Sequence, residues 1–274
     1  MRKLIICADD FGMSKGVNEA ILLTYKMGVA TDTSLLVNGP EFLDSVRLIK
    51  ENKMSVGLHV NLTSYSPVLP VKKVKTLCKE DKFNKPDLVN WDYSFLSKAN
   101  PNEIEKEIWA QFKLFRKKLG FLPSHLNSHK CEHGDPAVLR VIKDIAIKFK
   151  IPVRIPYWKF KPNYAAEAEL RRSGVIMPDN LAPVDFYEGF NIDLNTIDVF
   201  VKSLPHGVTE IIAMPGFVDE ELLKVTEYQW QRARTLALMV EPEFKEKLKK
   251  VKVKLISFND LRTEKLNKSI STTC

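Results

Sequence analysis

Polar and apolar positions fall into two alternating rhythms along the chain. Seven segments read as strands: residues 3–8, 33–37, 55–63, 123–129, 152–156, 209–214 and 252–257. Several are near-continuous apolar runs, the pattern of strands buried on both faces. Between them apolar residues recur three and four apart, which predicts helices. Ser14 caps a helix running to about Met27, with Val17, Ala20, Ile21 and Thr24 on one face and Gly28 as its stop. Pro40 opens another, with Phe42, Val46 and Ile49 inward. Asn100-Pro101-Asn102-Glu103 starts a third, striped by Ile104, Ile108, Phe112, Phe115 and Leu119 and ended by Gly120. Asp135-Pro136 starts a fourth, with Val138, Val141, Ile142, Ile145 and Phe149 inward. Further helices are predicted over about 195–203 and 219–250, the latter interrupted at Pro242. Residues 64–100 and 157–190 show no period, and the chain is expected to fray after Ser257.

Strands alternating with helices predict an α/β fold with a parallel sheet or barrel and helices outside. A chain of 274 residues suits one (β/α) barrel, here expected as a single catalytic domain over residues 1–262 with a C-terminal tail at 263–274. In such folds reacting groups gather at the C-terminal ends of strands.

Composition narrows the class. No run of about 18 apolar residues is present, so no membrane helix is expected. The opening apolar run turns acidic at once, unlike a secretory leader, and a cytoplasmic protein is expected. Cys7, Cys78, Cys131 and Cys274 form no Cys-x-x-Cys pair and read as reduced thiols. The net charge of +8 owes much to lysines 245–254, a solvated helix face. Without interleaved exposed aromatics or a binding motif, it does not indicate a nucleic-acid partner. Aromatics between 64 and 100 could cover a pocket or meet a second copy, which leaves a homo-oligomer open.

The chemistry concentrates in three segments: Ala8-Asp9-Asp10-Phe11-Gly12, Gly57-Leu58-His59, and His125-Leu126-Asn127-Ser128-His129 with His133. They hold four of the chain's five histidines and place them, with two carboxylates, at strand ends. One carboxylate could bind a metal while the other takes a proton from water. Each group also has a structural reading: Asp capping a helix, His satisfied in the core. At least one of His125, His129 and His133 is expected to be a ligand, with the others orienting it or lining the pocket. An Asp-His-His set leaves positions open for water and substrate and suits zinc, cobalt or nickel.

These segments, together with Met13-Ser14-Lys15-Gly16-Val17-Asn18, residues 33–38 (Thr-Ser-Leu-Leu-Val-Asn), Val60-Asn61-Leu62-Thr63, Arg154-Ile155-Pro156 and Ile256-Ser257-Phe258-Asn259-Asp260-Leu261, resemble the YdjC-like carbohydrate deacetylases, the family that includes chitooligosaccharide deacetylases. The resemblance runs over about residues 3–261. It implies a deformed (β/α) barrel of about seven strands related to the polysaccharide deacetylases. It also implies hydrolysis of an N-acetyl group on an amino sugar or small oligosaccharide, with one divalent metal, magnesium or zinc. By position, Asp10, His59 and His129 would hold the metal and Asp9 would be the general base. Phe11, Asn61, His125 and Arg154 would face the substrate. The chain departs from the family where Asn127 replaces Asp, Cys131 replaces His, and Met214-Pro215-Gly216 stands for His-Pro-Gly. Methionine cannot donate a proton. The donor would then be His125, His133 or His206, with His133 assigned beside Asp9 as catalytic. Otherwise the chain would be a weakly active or non-enzymatic homologue that binds metal and a sugar.

Overall fold

The strand Arg2–Phe11 (β1) is the axis on which the rest is arranged. The computed structural model describes residues 1–85, 94–158, 161–182 and 197–271. After β1 come α1 (Lys15–Lys26), β2 (Asp32–Leu35), α2 (Phe42–Asn52) and β3 (Val56–Val60). A short hairpin, β4 (Cys78–Lys79) and β5 (Lys82–Phe83), precedes α3 (Ser94–Lys98), α4 (Pro101–Leu119), β6 (Leu126–Ser128) and α5 (Pro136–Phe149). A second hairpin, β7 (Tyr157–Trp158) and β8 (Lys161–Pro162), leads to α6 (Tyr164–Arg172), β9 (Asn180–Ala182), α7 (Ile197–Ser203) and β10 (Gly207–Ala213). The chain closes with α8 (Glu220–Val225), α9 (Trp230–Val240), α10 (Pro242–Lys250), β11 (Lys254–Leu255) and α11 (Phe258–Ser271).

The main sheet has seven strands in the order β6-β3-β2-β1-β10-β9, with β11 beside the start of β1. Every pairing in it is parallel. Leu4 to Ala8 of β1 are at most 1% exposed, as a strand covered by helices on one face and barrel core on the other must be. The two edges, β6 and β9, do not pair. The segment at 152–154 leans across the gap: Arg154 N donates to Leu126 O (3.0 Å) and Val153 N to Ile176 O (2.9 Å). The result is a curled half-barrel, the deformed (β/α) barrel expected from the sequence.

Four stretches differ from the sequence reading. Residues 152–156 give one bridge, Val153 to Leu126, rather than a strand; Pro152 and Pro156 have no N–H to extend a ladder. The stretch read as irregular at 157–190 contains β7, β8, α6 and β9. Helix α6 buries only Ala166 and Leu170, so it shows no apolar stripe. The helical stretch 219–250 is three helices, with Pro242 in the first turn of α10. The tail expected to fray is α11, anchored by fully buried Phe258 and Leu261. Ser257 and Asp260 cap it reciprocally: Ser257 N donates to Asp260 Oδ2 (2.7 Å) and Asp260 N to Ser257 Oγ (3.2 Å). Residues 195 and 196 of the helix expected over 195–203 lie outside the described residues. Among the described residues no helix is long and apolar enough to cross a membrane.

Candidate active site

Neighbouring residues on a regular strand point to opposite faces, yet Asp9 and Asp10 both reach the same buried site. The register of β1 against β2 shifts between Ala8 and Phe11, and Asp10 adopts φ 73°, the left-handed region. The bulge supplies the extra residue and turns the second carboxylate toward the first. Gly12 follows at φ 97°, where a Cβ would fall 2.9 Å from Leu36 O, so glycine is required there.

Asp10 is the hub. Its Oδ1 lies 2.9 Å from His129 Nδ1 and 3.3 Å from His59 Nε2, while Arg232 Nη2 donates to Oδ2 at 2.6 Å. His59 ends β3. His129 follows β6, where Lys130 (φ 50°) and Cys131 (φ 59°) turn the chain sharply. Consecutive left-handed non-glycine residues are costly, and such strain gathers at functional sites. One ligand atom from each of Asp10, His59 and His129 lies within 4.8 Å of the others, and all three residues are buried. Among the described residues this is the one cluster of three or more such donors. One carboxylate oxygen and two imidazole nitrogens fit a divalent cation of the zinc type and leave its remaining positions open.

Asp9 is clamped beside the hub. Arg154 donates to it through Nη1 (2.5 Å to Oδ2) and Nη2 (2.9 Å to Oδ1), and through Nε to Glu210 Oε1 (2.7 Å). Ser34 Oγ donates to Asp9 Oδ1 at 2.8 Å. Burial works to raise the pKa of Asp9, but Arg154 and then His59 outweigh it and hold it at about 2. Burial likewise opposes ionisation of Asp10, and His129 and Arg232 overcome it, keeping that carboxyl well below its ordinary range. Each member of the buried acid pair thus has its own arginine. Burial lowers His129 to about 4 despite Asp10, so it stands neutral at pH 7.

The other residues singled out from sequence have different surroundings. His125 is 0% exposed, stacked on Phe258 with ring centroids 4.0 Å apart, 3.0 Å from Ser124 Oγ and 3.5 Å from Cys7 Sγ. Phe11 is fully enclosed in the core. Asn61 is framework: its Nδ2 donates to Asn38 Oδ1 (3.0 Å) and Ser64 O (2.8 Å), and its backbone exchanges hydrogen bonds with Gln111. Arg154 belongs to the site through Asp9. His133 is fully buried with Nδ1 2.6 Å from Ser128 Oγ, and burial, then Arg154, pushes its pKa down to about 3. A neutral imidazole at pH 7 is in the wrong protonation state for a general acid. Met214 sits half-buried just past β10.

Sequence reading missed two charged residues here. Arg232 enters from α9, with Nε donating to Tyr228 O (3.1 Å). It shares that helix's buried face with Thr235, Leu236 and Met239, three, four and seven residues on. A cation on an apolar stripe was the available signal. Glu210 was likewise a lone acid inside the apolar run of β10.

Fold and site together define the class: a parallel α/β half-barrel whose strand ends carry a buried carboxylate–histidine centre. Residues 3–250 match the family described as YdjC-like protein, and the chain belongs to that family. It is 32% identical over 265 residues to a carbohydrate deacetylase of Brevibacillus brevis, covering 94% of this chain and 99% of that one. A carbohydrate deacetylase of Geobacillus stearothermophilus is 30% identical over 271 residues, with 94% and 98% covered. Among solved structures, an Enterococcus faecalis V583 protein described as a candidate cellobiose-phosphate cleavage protein superposes with a TM-score of 0.83 at 29% identity, covering 95% of this chain and 98% of that one.

Proposed function

We propose that this protein is a metal-dependent hydrolase that removes the N-acetyl group from an amino sugar or small oligosaccharide. The observation that carries the reading is the convergence of Asp10, His59 and His129 beside an arginine-clamped Asp9. The curated relatives named carbohydrate deacetylases support the substrate class. Asp10, His59 and His129 would hold the cation, magnesium or zinc, which when bound polarises the acetamide carbonyl and stabilises negative charge on its oxygen.

The chain's own residues do the rest. Asp9, ionised throughout the physiological range, takes the proton of the attacking water as general base. Arg154 and Ser34 hold both Asp9 oxygens, so the carboxylate cannot swing away as the proton arrives. Once protonated, Asp9 is the acid at hand to return the proton to the leaving nitrogen. That assignment takes the place of the histidine absent at 214 and of His133, which is neutral and enclosed. A cytoplasmic location accords with the sequence reading and belongs to the same proposal.

Acetate release from N-acetylglucosamine oligomers, with magnesium or zinc supplied, tests the reading. Asp10→Ala should abolish release, and Asp9→Asn should lower it by about two to four orders of magnitude. Release that survives Asp10→Ala unchanged would refute the site.

A further inference from the structure

Asn127 stands between the metal-binding and base-holding halves of the site, and its amide cannot serve both in the same way. It pairs in register with His59 across β3 and β6, which places the two side chains next to each other on one face. One end of the amide lies 2.7 Å from His59 Nδ1 and 3.2 Å from Leu58 O. The other end lies 2.8 Å from Arg154 Nη1 and 3.1 Å from Arg154 Nη2.

The donors and acceptors can be counted. Arg154 has five N–H groups. Three are used, two on Asp9 and one on Glu210. Arg154 is 2% exposed, so the two left over need a buried acceptor, and the near end of Asn127 is where they meet one. That end must therefore be Oδ1. The far end is then Nδ2, which donates to Leu58 O and to His59 Nδ1. An imidazole nitrogen that accepts carries no proton. The His59 proton sits on Nε2, pointing at Asp10 Oδ1 3.3 Å away. The reverse orientation would let Oδ1 accept from a protonated His59 Nδ1 at 2.7 Å and bring Nδ2 within 3.4 Å of Asp9 Oδ1, but it would set an NH2 against two guanidinium N–H groups of the buried Arg154 and an oxygen against Leu58 O.

We infer that Asn127 is a positioning residue that holds His59, in the metal-free protein, in the tautomer unable to ligate a cation through Nε2. The inference rests on the metal reading of the site. A ligating histidine needs its lone pair toward the metal and its other N–H on an acceptor. Here that requires the Asn127 amide to turn over, which strands two buried N–H groups of Arg154. Cation uptake is therefore weakened by the cost of that turn. A carboxylate at 127 would accept from His59 and Arg154 at once and remove the conflict.

The experiment uses the full chain labelled with 15N-histidine, at pH 9, with His59→Gln to assign the ring. Two-bond proton–nitrogen correlation should show His59 protonated on Nε2 in the native protein and on Nδ1 in Asn127→Asp. Zinc affinity, measured for the metal alone by chelator competition, should rise about tenfold or more in Asn127→Asp, the lower end of what partners of metal ligands usually control. A native His59 already protonated on Nδ1 would overturn the inference, and any gain in Asn127→Asp would then be a charge effect. An affinity within twofold of native in Asn127→Asp would overturn it too. The native ring measurement needs no variant to fold. Failure of both proteins to bind zinc would instead refute the metal centre, a result separate from the tautomer.

Discussion

Replacing Arg154 with methionine removes the guanidinium that Asp9 and Glu210 share. Asp9 is 4% exposed and Glu210 0%, so both carboxylates would be left in the interior without the guanidinium that pairs them. Breaking a buried pair in this way typically costs about 3–5 kcal/mol, because the abandoned charge, not the lost attraction, dominates. For a chain of this size that corresponds to a fall in Tm of roughly 10 °C. The pH dependence identifies the cause. In the native protein Asp9 is held at about 2, below its ordinary 3.8, so its contribution to stability is complete above about pH 4 and lost as pH falls through 2. In Arg154→Met the main opposition to burial is gone, both carboxyls move upward, and the variant gains stability as pH falls from 7 and they protonate. The gap between native and variant should be widest near pH 7 and narrow toward pH 4. Urea unfolding at both pH values measures it, and Arg154→Lys should recover part of the loss. A gap equal at pH 7 and pH 4, or below about 1 kcal/mol at pH 7, would refute the argument that charge burial governs this pair.

Two further outcomes concern the framework. Burial raises Glu132 to about 8 while Leu62 N and Thr63 Oγ1 donate to it, so the folded state keeps a proton that the unfolded chain releases above about 4.5. Stability should therefore fall as pH rises from 5 to 8, and Glu132→Gln should remove at least about 1 kcal/mol of that fall in urea titrations; parallel curves would count against it. A Cβ at Gly57 would overlap the His125 ring, so Gly57→Ala should cost about 1–3 kcal/mol, and less in a His125→Ala background. Additive costs in the double variant would show that the ring is not what Gly57 accommodates.

Much of the site could be read from the chain because strand ends announce themselves: an apolar run, then a polar residue, as at Asp9, His59 and His129. Parallel α/β architecture then made those ends neighbours. What remained hidden depended on register and approach. The bulge that brings Asp9 and Asp10 together leaves no mark in composition. His125 reaches Cys7, two residues before Asp9 on β1, rather than the Asp10 cluster that His129 joins, and spacing alone does not separate the two histidines. Arg232 comes from a helix whose periodicity reads as ordinary packing, and its target is more than 200 residues away. Helix α6 and strand β9 are half-exposed, so hydrophobic pattern was the wrong instrument for finding them. The capping pair Ser257 and Asp260, which starts α11, was passed over when the chain was expected to fray after Ser257.

The pairing of β1 with β10 joins Arg2 to Gly207, a separation of 205 residues (207 − 2). On a ribosome adding about 5–20 residues per second, one flank of this largely buried strand waits roughly 10–40 s for its neighbour to be made. During that interval Leu4, Ile5 and Ile6 present an open edge of the kind that recruits other chains. Production of this protein should therefore be limited by what shields β1 on the nascent chain, and a chaperone that holds that strand should raise the yield more than any change near Asp9 and Asp10.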